Sequence, residues 1–549
     1  MLAPRLRPAR TTGLLVSATA VAAGLISAAP AAALAGPDAP ATQLKSVVKL
    51  NIGDEANSRA CTAALLDADW IITAASCFAA TPGAQVPAGK PALKSVATLS
   101  DGTAVEVVDL TPRTDRDLVL GRLANSAGAN LPWARIAPAL PAAGTDLGTA
   151  GFGRTKTEWV PDKLHTGTFT LNASDTGTLT VTGKGTDVIC KGDTGGPLFN
   201  GSGQLIGVNS RSWQGGCLGA PATETRTGAV SARADNLSQW TADVRSLTPG
   251  WKTEAVVQAG TSLYQGIRLA DGSWTGFTDV QSKAGNIGGI RTATVAGIDG
   301  DTHVVALGTN GRIYHTIRKA DGTWLNFGDV GAEAGVLPNV TQVSAVSTGT
   351  EIQVVAVSNG KVFHSLRRAN GTWAPFGDVA AVSSPLSGVT SIATANTGGA
   401  LQVVAVSGGK AYHTVRNTGG SWTVWGDVAG AAGATGPISS VAMAGSGSSA
   451  HVVIATDNGT RQYHTIRQDT GVWSPFRDLT AHLGNITVKS VGTAGFSHQV
   501  DVTFTTGDNR VVYTSWSNPA RLFTTPVTVP TIAGIAATPL GSIALAPTL

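Results

Sequence analysis

The chain has 549 residues, with 39 basic and 35 acidic side chains, a formal charge of +4, and only 13% charged and 5% aromatic residues. That length exceeds a single hydrophobic core and requires two or more domains. The near balance of charge excludes an electrostatic case for nucleic-acid binding, and abundant Gly, Ala, Thr and Val favour turn-dense β structure over long helices.

Arg5, Arg7 and Arg10 precede an apolar stretch from Gly13 to Ala29, and Ala33-Leu34-Ala35 offers a small-x-small cleavage site. Residues 1–35 therefore read as a secretory signal peptide, and the protein as secreted. The apolar run ends at Pro30, short of a comfortable span, so no membrane crossing is expected. Removing residues 1–35 takes away three arginines and no acid, which lowers the formal charge from +4 to +1. The four cysteines are Cys61, Cys77, Cys190 and Cys217. An even count in an exported chain points to disulfides, and of the three pairings open to four cysteines, Cys61 with Cys77 and Cys190 with Cys217 is the most economical. No CxxC pair is present, so neither a zinc site nor another cofactor is expected.

The chain divides near residue 250. Leu237, Trp240, Val244 and Leu247 fall at helical spacing over 232–247, and Thr248-Pro249-Gly250 stops the helix. Beyond it one unit recurs, as in IYHTIRKADGTWLNFGDV and VFHSLRRANGTWAPFGDV, with Trp274, Trp324, Trp373, Trp422 and Trp473 at a period of 49 to 51 residues. A sixth, degenerate copy begins at Val512-Tyr513, where Phe523 holds the tryptophan position. Each unit reads as four strands, in the third copy VTQVSAV, EIQVVAV, KVFHSLR and TWAPFGDV, with a tight turn at Asn370-Gly371. Four strands per fifty-residue repeat predict a β-propeller over 251–549. The first copy lacks one strand, which the tail Ile532–Thr538 resembles, so the chain end is expected to complete the first blade. Six blades are predicted, with seven as the rival count.

The stretch ACTAALLDADWIITAASCF, through Cys61, Trp70, Thr73, Ala74, Ala75 and Cys77, resembles the first block of the trypsin/chymotrypsin-like serine protease family. Asp117-Leu118-Val119-Leu120, AGFGRT at 150–155, CKGDTGGPL at 190–198 and GVNSRSWQGGC at 207–217 resemble its later blocks, in the family's order. The resemblance implies an all-β fold, a chymotrypsin-like double β-barrel with a C-terminal helix over 36–248, followed by the propeller. It also implies the catalytic positions, and here the sequence departs from the family. The histidine position is Ser76 and the nucleophilic serine position is Thr194, so only Asp117 of the triad remains. The imidazole carries the proton in this chemistry, and a serine hydroxyl cannot. His165, the one histidine before residue 250, lies outside every matching block.

By the same resemblance, the oxyanion-hole donors are the amides of Gly192 and Thr194. Val188 sits at the floor of the specificity pocket and predicts an apolar preference. Asp193 is kept, but the Ile-Val-Gly-Gly type of N-terminus that pairs with it in active relatives is not found. The expected function is a binding protein: a pseudoprotease whose cleft grips a peptide or protein. The alternative is an active endopeptidase using Thr194. The repeats resemble seven-bladed bacterial lectin propellers and tectonin-like repeats, which implies glycan partners stacked on Trp274, Trp324, Trp373, Trp422 and Trp473. The other reading makes these residues packing groups, and makes His315, His364, His413 and His464, one per blade, interblade packing rather than metal ligands.

Overall fold

The computed structural model describes residues 44–54, 58–128, 131–529 and 538–549. The predicted signal peptide, 1–35, lies outside the described residues. The first six strands, β1 (Val47–Ile52), β2 (Arg59–Leu65), β3 (Trp70–Thr73), β4 (Ser95–Thr98), β5 (Ala104–Pro112) and β6 (Val119–Leu123), close a barrel in the order β1-β2-β3-β6-β5-β4. The next six, β7 (Asp146–Gly151), β8 (His165–Ser174), β9 (Thr178–Gly183), β10 (Pro197–Phe199), β11 (Leu205–Ser212) and β12 (Gly228–Arg233), close a second in the order β10-β11-β12-β9-β8-β7. Alternation drives the strands. In β8, Gly167, Phe169 and Leu171 are buried while Thr168 and Thr170 stay half-buried, the period of two that a barrel wall demands. Phe169 is fully enclosed, which stabilises the barrel by about 1.5–3 kcal/mol.

The helix after the second barrel, α1 (Ser238–Arg245), is shorter than the predicted 232–247. Residues 232 and 233 complete β12 instead, because Ala229, Ser231 and Ala232 are buried in register between β9 and β11.

Six blades follow, five of four strands and the last of five, so six is the observed count among the described residues. In blades 2 to 6 the innermost strands are Ile290–Ile298, Val340–Thr348, Val389–Thr397, Ile438–Ser446 and Val488–Gly495. The chain end does complete blade 1, but through Leu540–Thr548, paired with Lys252–Ala259. The predicted Ile532–Thr538 is not that strand, and residues 532–537 lie outside the described residues. Leu540, Ile543 and Leu545 fill one side of the blade while Ala546 packs on the other, the two-sided burial an innermost strand needs. The fourth strand of each blade is also shorter than predicted. In blade 3 it is only Gly377–Asp378, with a separate bridge from Trp373 to Arg367. Asp378 leaves the sheet because its carboxylate accepts the Ala380 amide at 2.9 Å and starts a short turn of helix.

The barrels dock against blade 1. Arg245 of α1 reaches Asp67 at 3.0 Å and Asp271 at 2.8 Å. Trp70 donates its indole N–H to Thr248 at 2.8 Å, and Ala242 packs with Ile267 and Leu269.

Candidate functional site

The candidate site forms at the seam of the two barrels. The first barrel supplies Ser76, in the 3₁₀ turn Ala75–Cys77 behind β3, and Asp117, just before β6. The second supplies Thr194, in the loop leading to β10, and Ser210 on β11. Disulfides Cys61–Cys77 and Cys190–Cys217 hold these segments, in the expected pairing.

Asp117 is surrounded by donors. The Ser76 amide reaches Oδ1 at 2.7 Å, the Ser76 hydroxyl reaches Oδ2 at 2.8 Å, and the Ser210 hydroxyl reaches Oδ2 at 2.6 Å. Ser76 therefore directs its only side-chain proton at Asp117 and has none left to exchange with a nucleophile. Thr194 directs its hydroxyl toward the Ser210 carbonyl at 3.5 Å, a long contact. Among the described residues, no imidazole, amine or thiol is hydrogen-bonded to the side chains of these four. His165 opens β8 opposite Gly151, its Nε2 is buried without a partner among the described residues, and burial lowers its pKa.

The loop around Thr194 is firmly held. Thr62 of β2 donates its amide to the Thr194 carbonyl at 2.9 Å and its hydroxyl to the Gly192 carbonyl at 2.8 Å. Gly195 has φ +86°, and a Cβ there would overlap the Thr73 hydroxyl, so only glycine fits. Asp193 is fully buried. It accepts the Cys190 amide at 2.9 Å and the Gly153 amide at 2.7 Å, and burial pushes its pKa up to about 7. A Cβ at Gly153 would overlap the Asp193 carboxyl carbon, so the glycines of the 150–155 segment make the room this carboxyl occupies. Val188 is also fully buried, packed against the Cys190–Cys217 disulfide and Ala220. The Ser212 hydroxyl bonds the Ile189 carbonyl, tying β11 to the segment beside Val188.

On the second barrel alone, a cavity of about 640 Å³ is lined by Thr182, Ser212, Trp213, Arg226 and Gly228, and none of Ser76, Asp117, Thr194 or Ser210 reaches it. The Arg226 guanidinium lies 3.6 Å from the centre of the Trp213 ring.

In the propeller, each repeat tryptophan lies at a blade junction and is half-buried. Trp373 meets His315 of the preceding blade edge-on at 5.5 Å, Trp422 meets His364 at 5.4 Å, and Trp473 meets His413 at 5.3 Å. Trp324 packs with Val256 of blade 1, and Trp274 with Tyr513 of blade 6. Phe523, at the sixth tryptophan position, meets His464 at 5.2 Å. Sequence reasoning missed the partners of the histidines. Each blade buries one polar pair: Glu254 with Gln265 (2.7 Å), His303 with His315 (3.0 Å), Gln353 with His364 (2.8 Å), Gln402 with His413 (2.9 Å), His451 with His464 (3.0 Å) and Asp501 with Tyr513 (2.8 Å). Alignment of the second strands of the repeats would have shown this column. Among the described residues, no group of three or more His, Cys, Asp or Glu could hold a metal ion, and no helix is long and apolar enough to cross a membrane.

The family model for trypsin matches residues 34–241. Among solved structures, neuropsin, a serine protease expressed in the limbic system of mouse brain, is similar at 18% identity over 37% of this chain and 96% of its own, with a TM-score of 0.30. No curated protein matches the chain. Residues 34–241 are thus a trypsin-family domain, joined in this chain to a six-bladed β-propeller.

Proposed function

We propose that the chain is an exported, non-cleaving homologue of trypsin-family proteases, whose barrel domain grips a peptide or protein and whose propeller provides a second binding surface. The observation that carries this reading is the Ser76 hydroxyl, bound to Asp117 where a proton-transferring imidazole would have to stand. A threonine hydroxyl attacks only when a base takes its proton. The cavity beneath Trp213 and Arg226 supports peptide binding, since it joins an aromatic face and a cation to the polar rim of β11. Export is supported by the charged and apolar N-terminal sequence and by the two disulfides. The test is a fluorophosphonate probe on the mature chain, alongside casein digestion. Neither labelling nor digestion is expected; labelling that disappears in Thr194→Ala would establish the endopeptidase instead.

A glycan partner for the propeller is supported by Arg367, Arg416 and Arg467. Each belongs to the same blade as a half-buried repeat indole and has no carboxylate within ion-pair distance among the described residues. A glycan array probed with the full mature chain tests it, and Trp373→Ala should remove binding.

A further inference from the structure

The channel through the propeller holds two separate cups. Ala345, Thr394, Met443, Thr493 and Leu545, one from each of five blades, line both and form the waist between them. The cup away from the barrels, about 400 Å³, is lined by Thr292, Ser440, Ser490 and Ser542. These hydroxyls are already engaged: Ser440 accepts the Val491 amide at 3.2 Å, Ser490 accepts the Ile543 amide at 3.3 Å, and Thr292 bonds Ser542 at 3.2 Å. They stitch neighbouring blades, and Gln342, Ser391 and Lys489 make the rest of that lining polar and cationic.

The other cup differs. It opens on the face that carries the Asp271 turn, where the barrels dock, and encloses about 540 Å³, within the range of small-molecule sites. Its wall is mostly Ala, Val and Gly from the innermost strands and their turns, with Ser347, Asn396, Ser497 and His498 as polar groups toward the lip, and no Asp, Glu, Lys or Arg lines it. At its lip Trp251 is 61% exposed and meets Phe496 edge-on at 5.9 Å and 88°. At its waist the Thr493 hydroxyl, on a residue 7% exposed, has no hydrogen-bond partner among the described residues. A buried hydroxyl left unpaired is destabilising, and a ligand at the waist would relieve this once the side chain turns its hydroxyl into the cup.

We infer that this cup binds a small uncharged aromatic molecule carrying a hydrogen-bonding substituent, its ring against Trp251 and Phe496 and its polar group on Thr493. The absence of charged lining residues argues against an ion. Among the polar lining groups Asn396 is spent on the Ser347 carbonyl at 2.8 Å and the Gly399 amide at 2.9 Å, and the rings gathered at the lip, Trp251 with Phe496 and Phe496 with His498, favour an aromatic plane over a sugar.

The test is titration of the mature chain with 1-naphthol, followed by calorimetry. One saturable site is expected. Trp251→Ala should weaken it at least tenfold, and Thr493→Val by about five- to tenfold, the loss of one hydrogen bond. Ser347→Trp, at a half-exposed lining position, should block the cup, with thermal unfolding as a check that each variant folds. Absence of saturable binding, or binding unchanged in both Trp251→Ala and Ser347→Trp, would overturn the proposal. Saturable binding of methyl glycosides in place of 1-naphthol, lost in Ser347→Trp, would also overturn it by naming a sugar as the occupant.

Discussion

Around Asp117, three hydrogen bonds converge on one carboxylate. Ser76 and Ser210 both donate to its carboxylate, so the acid is held in place with nothing to orient. If the lost chemistry resides in two side chains, Ser76→His with Thr194→Ser should restore it in part, because Ser210 still positions Asp117 and Thr62 still fixes the loop. Either change alone should leave turnover at background, since nucleophile and base act as a unit. The double variant should give an acyl-enzyme burst with an activated ester but turn over slowly. Burial pushes the Asp193 pKa up to about 7 against the Cys190 and Gly153 amides, which hold it down, and one misplaced oxyanion donor costs about 10²–10³ in rate. A burst already present in the parent would refute the inactive reading. Ser76, Asp117 and Thr194 could be read from the sequence because they stand inside recognisable blocks. Ser210 could not, since its contact with Asp117 joins residues 93 apart across the barrel seam, and nothing local marks it. The tie of β11 to the segment beside Val188 was equally hidden, because it depends on the Ser212 hydroxyl reaching the Ile189 carbonyl.

Each blade buries a polar pair, and in blades 2 to 5 that pair contains histidine. Burial holds His303 and His451 at about 4, His364 and His413 at about 3, and His315 and His464 well below the ordinary value of 6.5. The sign follows from linkage. Below pH 6.5 the unfolded chain binds protons that the folded blades refuse, so stability is fully present above that value and is lost as pH falls toward 4 and then 3. Each pH unit by which an imidazole is held down is worth about 1.4 kcal/mol, and six such groups make the loss steep. The propeller melting temperature should therefore drop sharply between pH 6.5 and 4. His364→Gln, which copies Gln265 of blade 1, should make that drop shallower while leaving the melt at pH 8 little changed. Identical slopes for parent and variant would show that His364 is not held neutral by its junction. The repeat itself was plain in the sequence, because Trp, Gly and Asp recur at fixed offsets. The fourth strand was over-read, because TWAPFGDV has strand composition, whereas Asp378 turns the chain after two paired residues. The closing strand was misplaced by a few residues, because Ile532–Thr538 and Leu540–Thr548 are both apolar and only pairing with Lys252–Ala259 separates them.

Barrel and propeller are joined by a buried charge cluster that no motif announces. The Arg245 side chain is 4% exposed and binds Asp67 from the first barrel, Asp271 from blade 1, and the Ser273 hydroxyl at 3.0 Å. Burial raises the pKa of Asp67, and the arginine opposes that shift; Asp271 is held below its ordinary value against its own burial, with Arg245 the leading cause. The guanidinium suits this place because its planar fork can serve two carboxylates and a hydroxyl together, which a lysine ammonium does less well. Replacing it with Met would leave two carboxylates facing each other in a partly dry contact, at a cost of about 3–5 kcal/mol. Trp70 with Thr248 and the Ala242–Ile267–Leu269 cluster would remain, so each domain should keep its own fold while the junction opens. Calorimetry of Arg245→Met should then show two separated transitions where the parent melts with the domains coupled, and the separation should grow as pH rises and both acids ionise. Adding Asp67→Asn and Asp271→Asn to Arg245→Met removes the stranded charges and should bring the transitions back together, since replacing a whole buried ion cluster costs far less than breaking it. If Arg245→Met alone leaves the calorimetric profile unchanged, the cluster does not couple the domains, and the aromatic and apolar contacts hold them by themselves.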